Sequence, residues 1–480
     1  MAELHDLTAL ELAAAIRSGQ TSPTEVLDHT LDRMAALGET VGAFITRTPD
    51  LAREQAVAAQ SLLAASSDDP GTLPPLLGVP CPIKDLNLVA GVPTSFGSAA
   101  LAGYVPDVDD GVVIRLREAG TVMVGKTNTP EIGLPSYTQP DIAPPARTPW
   151  DLTRSAGGSS GGAAAAVASR IVPIAQGSDG GGSIRIPAAA CGLVGLKPSR
   201  GRISTGPYGV PGPGLGTNGV LTRDVRDTAA ALDVLAVGWP GDTCSLPSPD
   251  GGFLAACEAE PGALRIGVLT QPIIAPDAPV HAEAIRAVDH AVRVLEGLGH
   301  HVDPAPVPFP AEKWEPFRDL WSVLAASAPI PPEREHLLVP LSRWMRERGR
   351  AVSGVTYANA VNAGQQLTRD AARAWAEFDV ILMPSLAQPA ELLGTSRNDD
   401  DPAADFEAQM AFTPWTSTWN IIGAPAISVP LHWAPAEPDG PVLPFGVMLG
   451  ARTGREDLLL ALAATIERAE PWLDRRPPTG

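Results

Sequence analysis

The sequence predicts a large α/β domain, and three observations support that fold class. Between residues 76 and 205, short apolar segments of strand length alternate with glycine-rich turns and short helical segments. Further along, residues 281–298 have the apolar spacing of an amphipathic helix. No long polar linker interrupts the 480 residues, so we expect one domain spanning 1–480. Compact apolar runs typical of buried strands occur at 265–270, 379–385 and 426–431.

The chain begins with a predicted helical region, over about residues 4–65. Thr8 with Glu11, and Ser22 with Glu25, have the three-residue spacing of a capping box. In such a box the two side chains satisfy backbone N–H groups at the start of a helix. We therefore expect one helix to begin near each pair, followed by an alanine-rich helix before residue 65.

Two later segments are predicted to be irregular. Residues 206–219, GPYGVPGPGLGTNG, contain too much glycine and proline for a regular element, and we expect them to form a loop over a site. Residues 395–405, TSRNDDDPAAD, are polar and are expected to form a surface loop.

The overall composition excludes several classes of function. The chain is 44% hydrophobic and 19% charged, as is ordinary for a globular protein, and its net charge is −19. A chain this acidic would repel a phosphate backbone, so we do not expect a nucleic-acid partner. No apolar stretch of about 18 residues is present, and the N-terminus lacks the pattern of a signal peptide, so we expect no membrane association.

The four cysteines, at positions 81, 191, 244 and 257, form no C-x-x-C pair. They are therefore expected to be free thiols in a reducing cytoplasm, and neither disulfides nor zinc ligands. Lysine is also rare: only Lys84, Lys126, Lys197 and Lys313 occur, against 31 arginines. Because lysine can lose its proton in a protein and arginine cannot, lysine in such a chain is expected where a neutral amine is useful.

One segment formally matches a phosphate-binding loop. Residues 120–127, GTVMVGKT, fit G-x-x-x-x-G-K-[ST], in which a strand precedes the loop and a helix follows it. Here a helical segment precedes the match, Gly120 is placed to end that helix, and residues 121–124 have the character of a strand. Pro130 would interrupt the helix that must follow. Nucleotide binding is therefore a weak alternative, and a core strand is the favoured interpretation.

Two glycine-serine segments are the main candidates for chemistry. GGSSGGAAAAVASR, residues 157–170, contains Ser159, and GSDGGGSIR, residues 177–185, contains Ser183. Either segment alone could be a flexible loop, but two of them around a helix of small residues allow the backbones to approach closely. Bare main-chain N–H groups beside a hydroxyl suit the oxyanion of an acyl-transfer reaction.

A base is needed to activate such a serine. No histidine lies between positions 29 and 281, although a distant one could still fold into place. Lys84, in the proline-flanked apolar run GVPCPIKDLN, could be desolvated and become a base. The alternative for Lys84 is a salt bridge to Asp85 or another acid. Together Ser183, Ser159 and Lys84 could form a serine–serine–lysine relay.

These residues resemble the amidase signature family of hydrolases, and bacterial hydrolases of cyclic amides and aryl acylamides in particular. The resemblance covers nearly the whole chain and is densest over a core of about residues 76–205. It is carried by the motifs GVPCPIKDLN, GKTNTPE, TPWDLTRSAGGSSGG and GSDGGGSIRIPAAACGLVGLKPSRGRIS, and later by FDVILMPS and WNIIGAPAISVP. The resemblance implies an α/β fold with a large mixed β-sheet flanked by helices.

The family's roles transfer to positions that match its motifs. Ser183 matches the nucleophile, and Lys84 matches the general base. Ser159 matches the bridging serine, which in the family follows a cis peptide bond, here Gly158–Ser159. The N–H groups that match the oxyanion hole are those of Gly180, Gly181, Gly182 and Ser183. The residues that match supporting positions are Asp179, Ser160 and Arg185. Gly180 stands where the family more often has a threonine or a β-branched residue.

The expected substrate is a small uncharged aryl or alkyl amide, or a carbamate with the same reacting carbonyl. Gly133 and Leu134 match positions on the acyl side of the site, and glycine at 133 is expected to leave room for bulky groups. Other residues expected near the substrate are Ile132, Tyr137, Tyr208, Trp415 and Trp419. No metal or cofactor is required for the reaction, and the chain is expected to be a monomer or a homodimer.

Two alternatives remain within the resemblance. One is the amidase subunit of a glutamine-dependent transfer-RNA amidotransferase, against which the chain has only four tyrosines and lacks that subunit's tyrosine-rich glutamine-site segment. The other is a binding protein of the same fold without activity, against which all three relay positions are occupied.

Overall fold

A mixed eight-stranded sheet forms the centre of the computed structural model, which describes residues 3–65, 73–210 and 212–480. Its strand order is β4-β6-β5-β10-β11-β9-β7-β8, antiparallel from β4 to β9 and parallel from β9 to β8. The expected mixed sheet is confirmed. Its strands are β4 (Ile174–Asp179), β5 (Val194–Lys197), β6 (Thr217–Thr222), β7 (Arg265–Val268), β8 (His301–Pro304), β9 (Val380–Pro384), β10 (Ala426–Pro435) and β11 (Val442–Ala451).

A second, smaller sheet lies beside β4. It has the order β1-β3-β2, with β1 at Phe44–Arg47, β2 at Ile83–Lys84 and β3 at Gly125–Thr127. Gln176 of β4 joins the two sheets, because its side-chain Oε1 accepts from the Lys84 N–H at 2.9 Å and its own N–H donates to the Pro82 carbonyl at 3.0 Å. These two hydrogen bonds fix the position of β2, and with it the backbone of Lys84, against the central sheet.

Helices cover both sheets. They are α1 (Ala9–Arg17), α2 (Pro23–Leu37), α3 (Pro49–Ala65), α4 (Gly111–Glu118), α5 (Gly161–Ala168), α6 (Arg185–Cys191), α7 (Val225–Leu235), α8 (Gly252–Ala256), α9 (Ala282–Gly297), α10 (Pro316–Ser327), α11 (Pro340–Ala351), α12 (Gly354–Ala374), α13 (Pro402–Phe412), α14 (Thr416–Ile422) and α15 (Glu456–Ala469). Both capping boxes form at the starts of α1 and α2, as expected. Within the described ranges, no helix has the length and apolar character to cross a membrane.

Helices α5 and α6 pack in the interior next to β4. Every residue of both helices is buried, and alanine and glycine make up most of α5. Small side chains let these backbones lie close to the sheet and to each other. The segments that precede the two helices, which contain Ser159 and Ser183, are therefore brought together by the packing of α5 and α6.

Three local expectations need correction. Strand β3 begins at Gly125, not at residue 121, and Val122 contributes only an isolated bridge to Pro80. The segment 395–405 is not wholly a loop, because α13 begins at Pro402, where the Asp401 side chain caps its first N–H groups. The strand expected over 265–270 ends at Val268. All four cysteines are free thiols, as expected.

The segment that matches a phosphate-binding loop has a structural role. The Lys126 side chain is fully buried, and its Nζ lies 3.0 Å from Oδ1 of Asp85. It also donates to the Asn87 carbonyl and to the Thr94 hydroxyl, each at 2.8 Å. All three ammonium protons therefore have acceptors inside the protein, and none is left to hold a phosphate.

Replacing Lys126 by methionine should leave the Asp85 carboxylate buried and unpaired. We expect Lys126→Met to lower the free energy of unfolding by about 3–5 kcal/mol in denaturant titrations, and Asp85→Asn in the same chain to restore part of the loss. Arg53→Met, which breaks the exposed pair of Arg53 with Asp50, should change stability little. Unchanged stability of Lys126→Met together with a loss of nucleotide binding would revive the phosphate-loop interpretation.

Candidate active site

Three segments meet at one end of β4. Ser183 lies in the turn between β4 and α6, Ser159 lies just before α5, and Lys84 ends β2 of the smaller sheet. The Ser160 N–H donates to the Ser183 carbonyl at 3.2 Å, which holds the two serine segments side by side. The peptide bond between Gly158 and Ser159 is cis, as the family resemblance implies.

Lys84 is buried beside hydroxyl groups. Its Nζ donates to Ser159 Oγ at 2.8 Å, and it lies 3.1 Å from the hydroxyl and 3.4 Å from the carbonyl of Ser178. The salt bridge considered between Lys84 and Asp85 does not form; Asp85 pairs with Lys126 instead. Burial lowers the pKa of Lys84 to about 7, and the more distant Asp179 carboxylate only partly opposes that shift.

The turn that holds Ser183 is organised by a buried ion pair. Asp179 Oδ1 and Oδ2 accept from Nη2 and Nε of Arg185 at 2.9 Å and 3.0 Å. Asn420 of α14 donates to the same carboxylate at 2.8 Å. Burial alone would raise the pKa of Asp179, but the Arg185 guanidinium and the hydrogen bonds outweigh it and hold that pKa well below its usual range.

The same carboxylate also binds the backbone of the turn. The Gly182 N–H donates to Asp179 Oδ1 at 2.8 Å, and the Ile184 N–H donates to Oδ2 at 3.1 Å. Gly182 has φ of +134°, which a residue with a side chain rarely adopts. Of the four N–H groups expected in the oxyanion hole, that of Gly182 is therefore already used inside the protein.

The other three N–H groups remain available. Those of Gly180, Gly181 and Ser183 have no acceptor within the described part of the chain. The Gly181 carbonyl is held in place by the Thr416 hydroxyl, which donates to it at 2.8 Å. The turn thus presents fixed, unpaired backbone donors around the Ser183 side chain, which is the arrangement that stabilises an oxyanion.

A cleft opens over Ser183. Its walls come mainly from α10, α13, α14 and the segment around Leu134, and among the described residues none of the side chains that line it is charged. The lining residues are Leu134, Pro135, Ser136, Gly181, Ser183, Ile186, Ile274, Trp314, Phe317, Trp321, Phe406, Gln409, Met410, Thr413 and Ser417. Such a lining suits an uncharged, largely apolar substrate.

Only some of the residues expected near the substrate lie beside the cleft in the structure. Leu134 lines the cleft. Tyr137 does not: its side chain is buried, and its hydroxyl donates to Asp405 at 2.7 Å. Ile132 has φ of +56° and is not among the residues that line the cleft, although it packs against the core cluster that contains Leu134 as well as the one that contains Leu101. Gly133 faces the relay, since a Cβ built on it would lie 2.5 Å from Leu86 and 3.3 Å from Ser159 Oγ.

The aromatic residues expected in access loops lie elsewhere. Trp415 and Trp419 are 0% and 1% exposed and belong to the core behind α14, whereas Tyr208 is 64% exposed and lines no part of the cleft. The cleft is lined instead by Trp314, Phe317 and Trp321, which belong to none of the motifs that carry the family resemblance. Their spacing of three and four residues is helical, although Trp314 ends a short 3₁₀ turn before α10, and the same spacing is typical of a buried core face.

In the part of the chain that the structure describes, no three histidine, cysteine, aspartate or glutamate side chains gather in a way that could hold a metal ion. The groups that meet at and behind Ser183 are an amine, hydroxyls and backbone amides. This set can form and stabilise a covalent acyl intermediate on a serine.

Comparison with known proteins shows the family of the chain. A family model described as Amidase matches residues 25–460. The 6-aminohexanoate-cyclic-dimer hydrolase of Paenarthrobacter ureafaciens is 36% identical over 488 residues, which cover 97% of this chain and 95% of that protein. A solved structure of a 6-aminohexanoate cyclic dimer hydrolase superimposes with a TM-score of 0.89 at 33% identity, covering all of both chains. A bacterial aryl acylamidase of the amidase signature family superimposes with a TM-score of 0.87 at 27% identity, covering 100% and 99%.

The position of Gly133 leads to a test. Gly133→Ala places a methyl group against Leu86 and Ser159, so we expect activity on small and bulky substrates to fall alike, and not selectively for bulky ones. The matched control is Gly91→Ala, because Gly91 has a similar φ of +74° but nothing within 4 Å of its built Cβ. Steady-state kinetics should show a large loss for the first variant and little for the second. A loss confined to bulky substrates would place residue 133 in the cleft wall.

Proposed function

The chain is an amide hydrolase of the amidase signature family, and on that basis we propose that it cleaves uncharged aryl or alkyl amides through a Ser183–Ser159–Lys84 relay. One observation carries the proposal: the buried Nζ of Lys84 lies 2.8 Å from Ser159 Oγ, next to the glycine turn that holds Ser183. A buried amine in contact with a serine hydroxyl, and without a carboxylate partner in the described chain, can act as a neutral base.

The reaction proceeds in two halves. Neutral Lys84 takes a proton from Ser159 while Ser159 takes the proton of Ser183, and Ser183 Oγ attacks the substrate carbonyl carbon. The resulting oxyanion accepts hydrogen bonds from the free N–H groups of the glycine turn. The C–N bond then breaks, and the relay returns the proton to the departing amine.

Water completes the turnover. It attacks the acyl-Ser183 ester while the relay again removes a proton, and the carboxylic acid leaves as Ser183 regains its hydrogen. Every proton in this scheme moves between groups of this chain, the substrate and water. A carbamate presents the same carbonyl to Ser183, so we include aryl carbamates in the proposed substrate range.

The cleft and the relatives support the choice of substrate. The absence of charged side chains among the described lining residues disfavours free amino acids such as glutamine, whose charges would need partners when buried. The relatives are named for a cyclic dimer of 6-aminohexanoate and for aryl acylamides. We therefore place this chain with enzymes that act alone on small molecules, and activity that appears only with partner chains and transfer RNA would favour the amidotransferase alternative.

Ser183 is tested by substitution and by labelling. Ser183→Ala should reduce turnover of an anilide by several orders of magnitude without unfolding the protein, as loss of a covalent nucleophile does. Ser169→Ala is the matched control, because Ser169 is also buried but its hydroxyl donates to the carbonyls of Ala165 and Ala166 in α5, at 2.6 Å and 3.5 Å. A sulfonyl fluoride should modify Ser183 in the native protein, as read by peptide mass spectrometry. Near-normal turnover by Ser183→Ala would refute the assignment.

Lys84 is tested by pH. With its pKa near 7, Lys84 is protonated and unable to accept a proton at lower pH and becomes neutral as the pH rises, so kcat/KM should increase with pH through about 7. Lys84→Arg should be as inactive as Lys84→Ala, since a guanidinium keeps its proton. Burial also lowers the pKa of Lys197 to about 7, but its Nζ donates to the Pro198 carbonyl, so Lys197→Met should retain the inflection. An active Lys84→Arg enzyme would show that Lys84 acts through its positive charge and not as a base.

A further inference from the structure

Three aromatic rings form a continuous stack along one wall of the cleft. The ring centroids of Trp314 and Phe317 are 4.6 Å apart and those of Phe317 and Trp321 are 5.5 Å apart, with an angle of 19° between the planes in each pair. Trp314 and Phe317 are 2% and 3% exposed, whereas Trp321 is half-buried. Trp321 is therefore the member of the stack that is most open to a ligand.

The stack ends on the glycine turn. A Cβ built on Gly180 would lie 3.0 Å from Cζ3 and 3.1 Å from Cη2 of Trp321, closer than side chains normally pack. A Cβ on Gly181 would lie 3.5 Å from Cζ of Phe317, which is ordinary contact. The backbone of Gly180 does not have a positive φ, so its conformation does not require glycine. A side chain at 180 would therefore require the indole of Trp321 to move by a few tenths of an ångström.

We infer that Trp321 is a specificity-determining residue, and that it selects substrates with a planar ring bonded directly to the reacting carboxamide. The indole lies against Gly180, whose N–H is one of the free donors, so a ring attached to the carbonyl carbon or to the amide nitrogen of a substrate held by that donor would lie near the indole. Two aromatic rings in offset or edge contact attract each other more than a saturated ring of similar size does. This inference rests on the proposed amide hydrolysis and adds the class of group that the cleft recognises.

Two matched pairs of amides measure this preference. Benzamide against cyclohexanecarboxamide compares a planar and a puckered ring on the acyl side, and acetanilide against N-cyclohexylacetamide compares them on the amine side. Within each pair the ratio of kcat/KM values is measured for the native protein and for Trp321→Ala, so that differences in intrinsic reactivity cancel. We expect the planar-to-puckered ratio to fall about two- to tenfold in at least one pair, mainly through KM.

Three further variants separate selection from a structural effect. Trp321→Phe keeps a planar ring and should retain most of the ratio. Trp433→Ala removes a tryptophan that packs on Trp150 outside the cleft and should leave both ratios unchanged. Gly180→Ala should push the indole aside and lower the ratio in the native background, but it should have no further effect on the ratio when Trp321 is already alanine.

The outcomes are distinguishable. If Trp321→Ala is folded and active and both ratios equal those of the native protein, Trp321 does not select the ring and the inference is overturned while the proposed function stands. Equal effects of Gly180→Ala in both backgrounds would also overturn it, because the effect would then not pass through Trp321. A folded native protein that hydrolyses none of the four amides would overturn the proposed function and this inference together.

Discussion

The buried contact between Asp179 and Arg185 is the interaction on which the site depends. It closes the turn between β4 and α6, and the same carboxylate binds the N–H groups of Gly182 and Ile184. Through Asn420, it also ties this turn to α14, more than two hundred residues later in the chain. Removing one member of such a pair costs about 3–5 kcal/mol in typical proteins, because the remaining charge is left buried and unpaired. The free donors around Ser183 keep their directions because this contact fixes the backbone between them.

The three buried lysines show how the surroundings of an amine decide its role. Lys126 has a carboxylate and two further acceptors, so its burial is compensated and it acts as a structural cation. Lys84 has only hydroxyl and carbonyl oxygens around it, and Lys197 lies near the Arg185 guanidinium, which adds to the effect of burial. Desolvation lowers the pKa of all three, and only Lys126 has a carboxylate at contact distance to oppose it. In a chain that otherwise uses arginine for positive charge, a removable proton distinguishes Lys84 and Lys197 from Lys126.

The meeting of Lys84, Ser159 and Ser183 in one site could be anticipated from the sequence because each lies in a short continuous motif. Glycines surround Ser159 and Ser183 and allow close approach of the backbone there. Prolines and apolar residues surround Lys84 and favour its burial. The walls of the cleft could not be anticipated in this way. They come from α10, α13 and α14, where one side chain in three or four faces inward, and only the packing of the helices decides which of them reaches the cleft. Trp419, for example, points into the core, where its ring stacks on Trp375. Tyr137 does not face the cleft, because its hydroxyl donates a hydrogen bond to the buried Asp405.

This separation between the reacting groups and the walls has a consequence for protein engineering. The relay and the glycine turn belong to residues 84–185, whereas most of the cleft wall comes from residues 274–417. Thr416 and Asn420 of α14 hold the glycine turn by hydrogen bonds, whereas the wall residues of α10 and α13 share no described hydrogen bond with Lys84, Ser159 or Ser183. Libraries randomised on α13 can therefore search for new acyl or amine groups without removing a described hydrogen bond of the glycine turn, whereas Phe317 and Trp321 of α10 pack against that turn and are best kept.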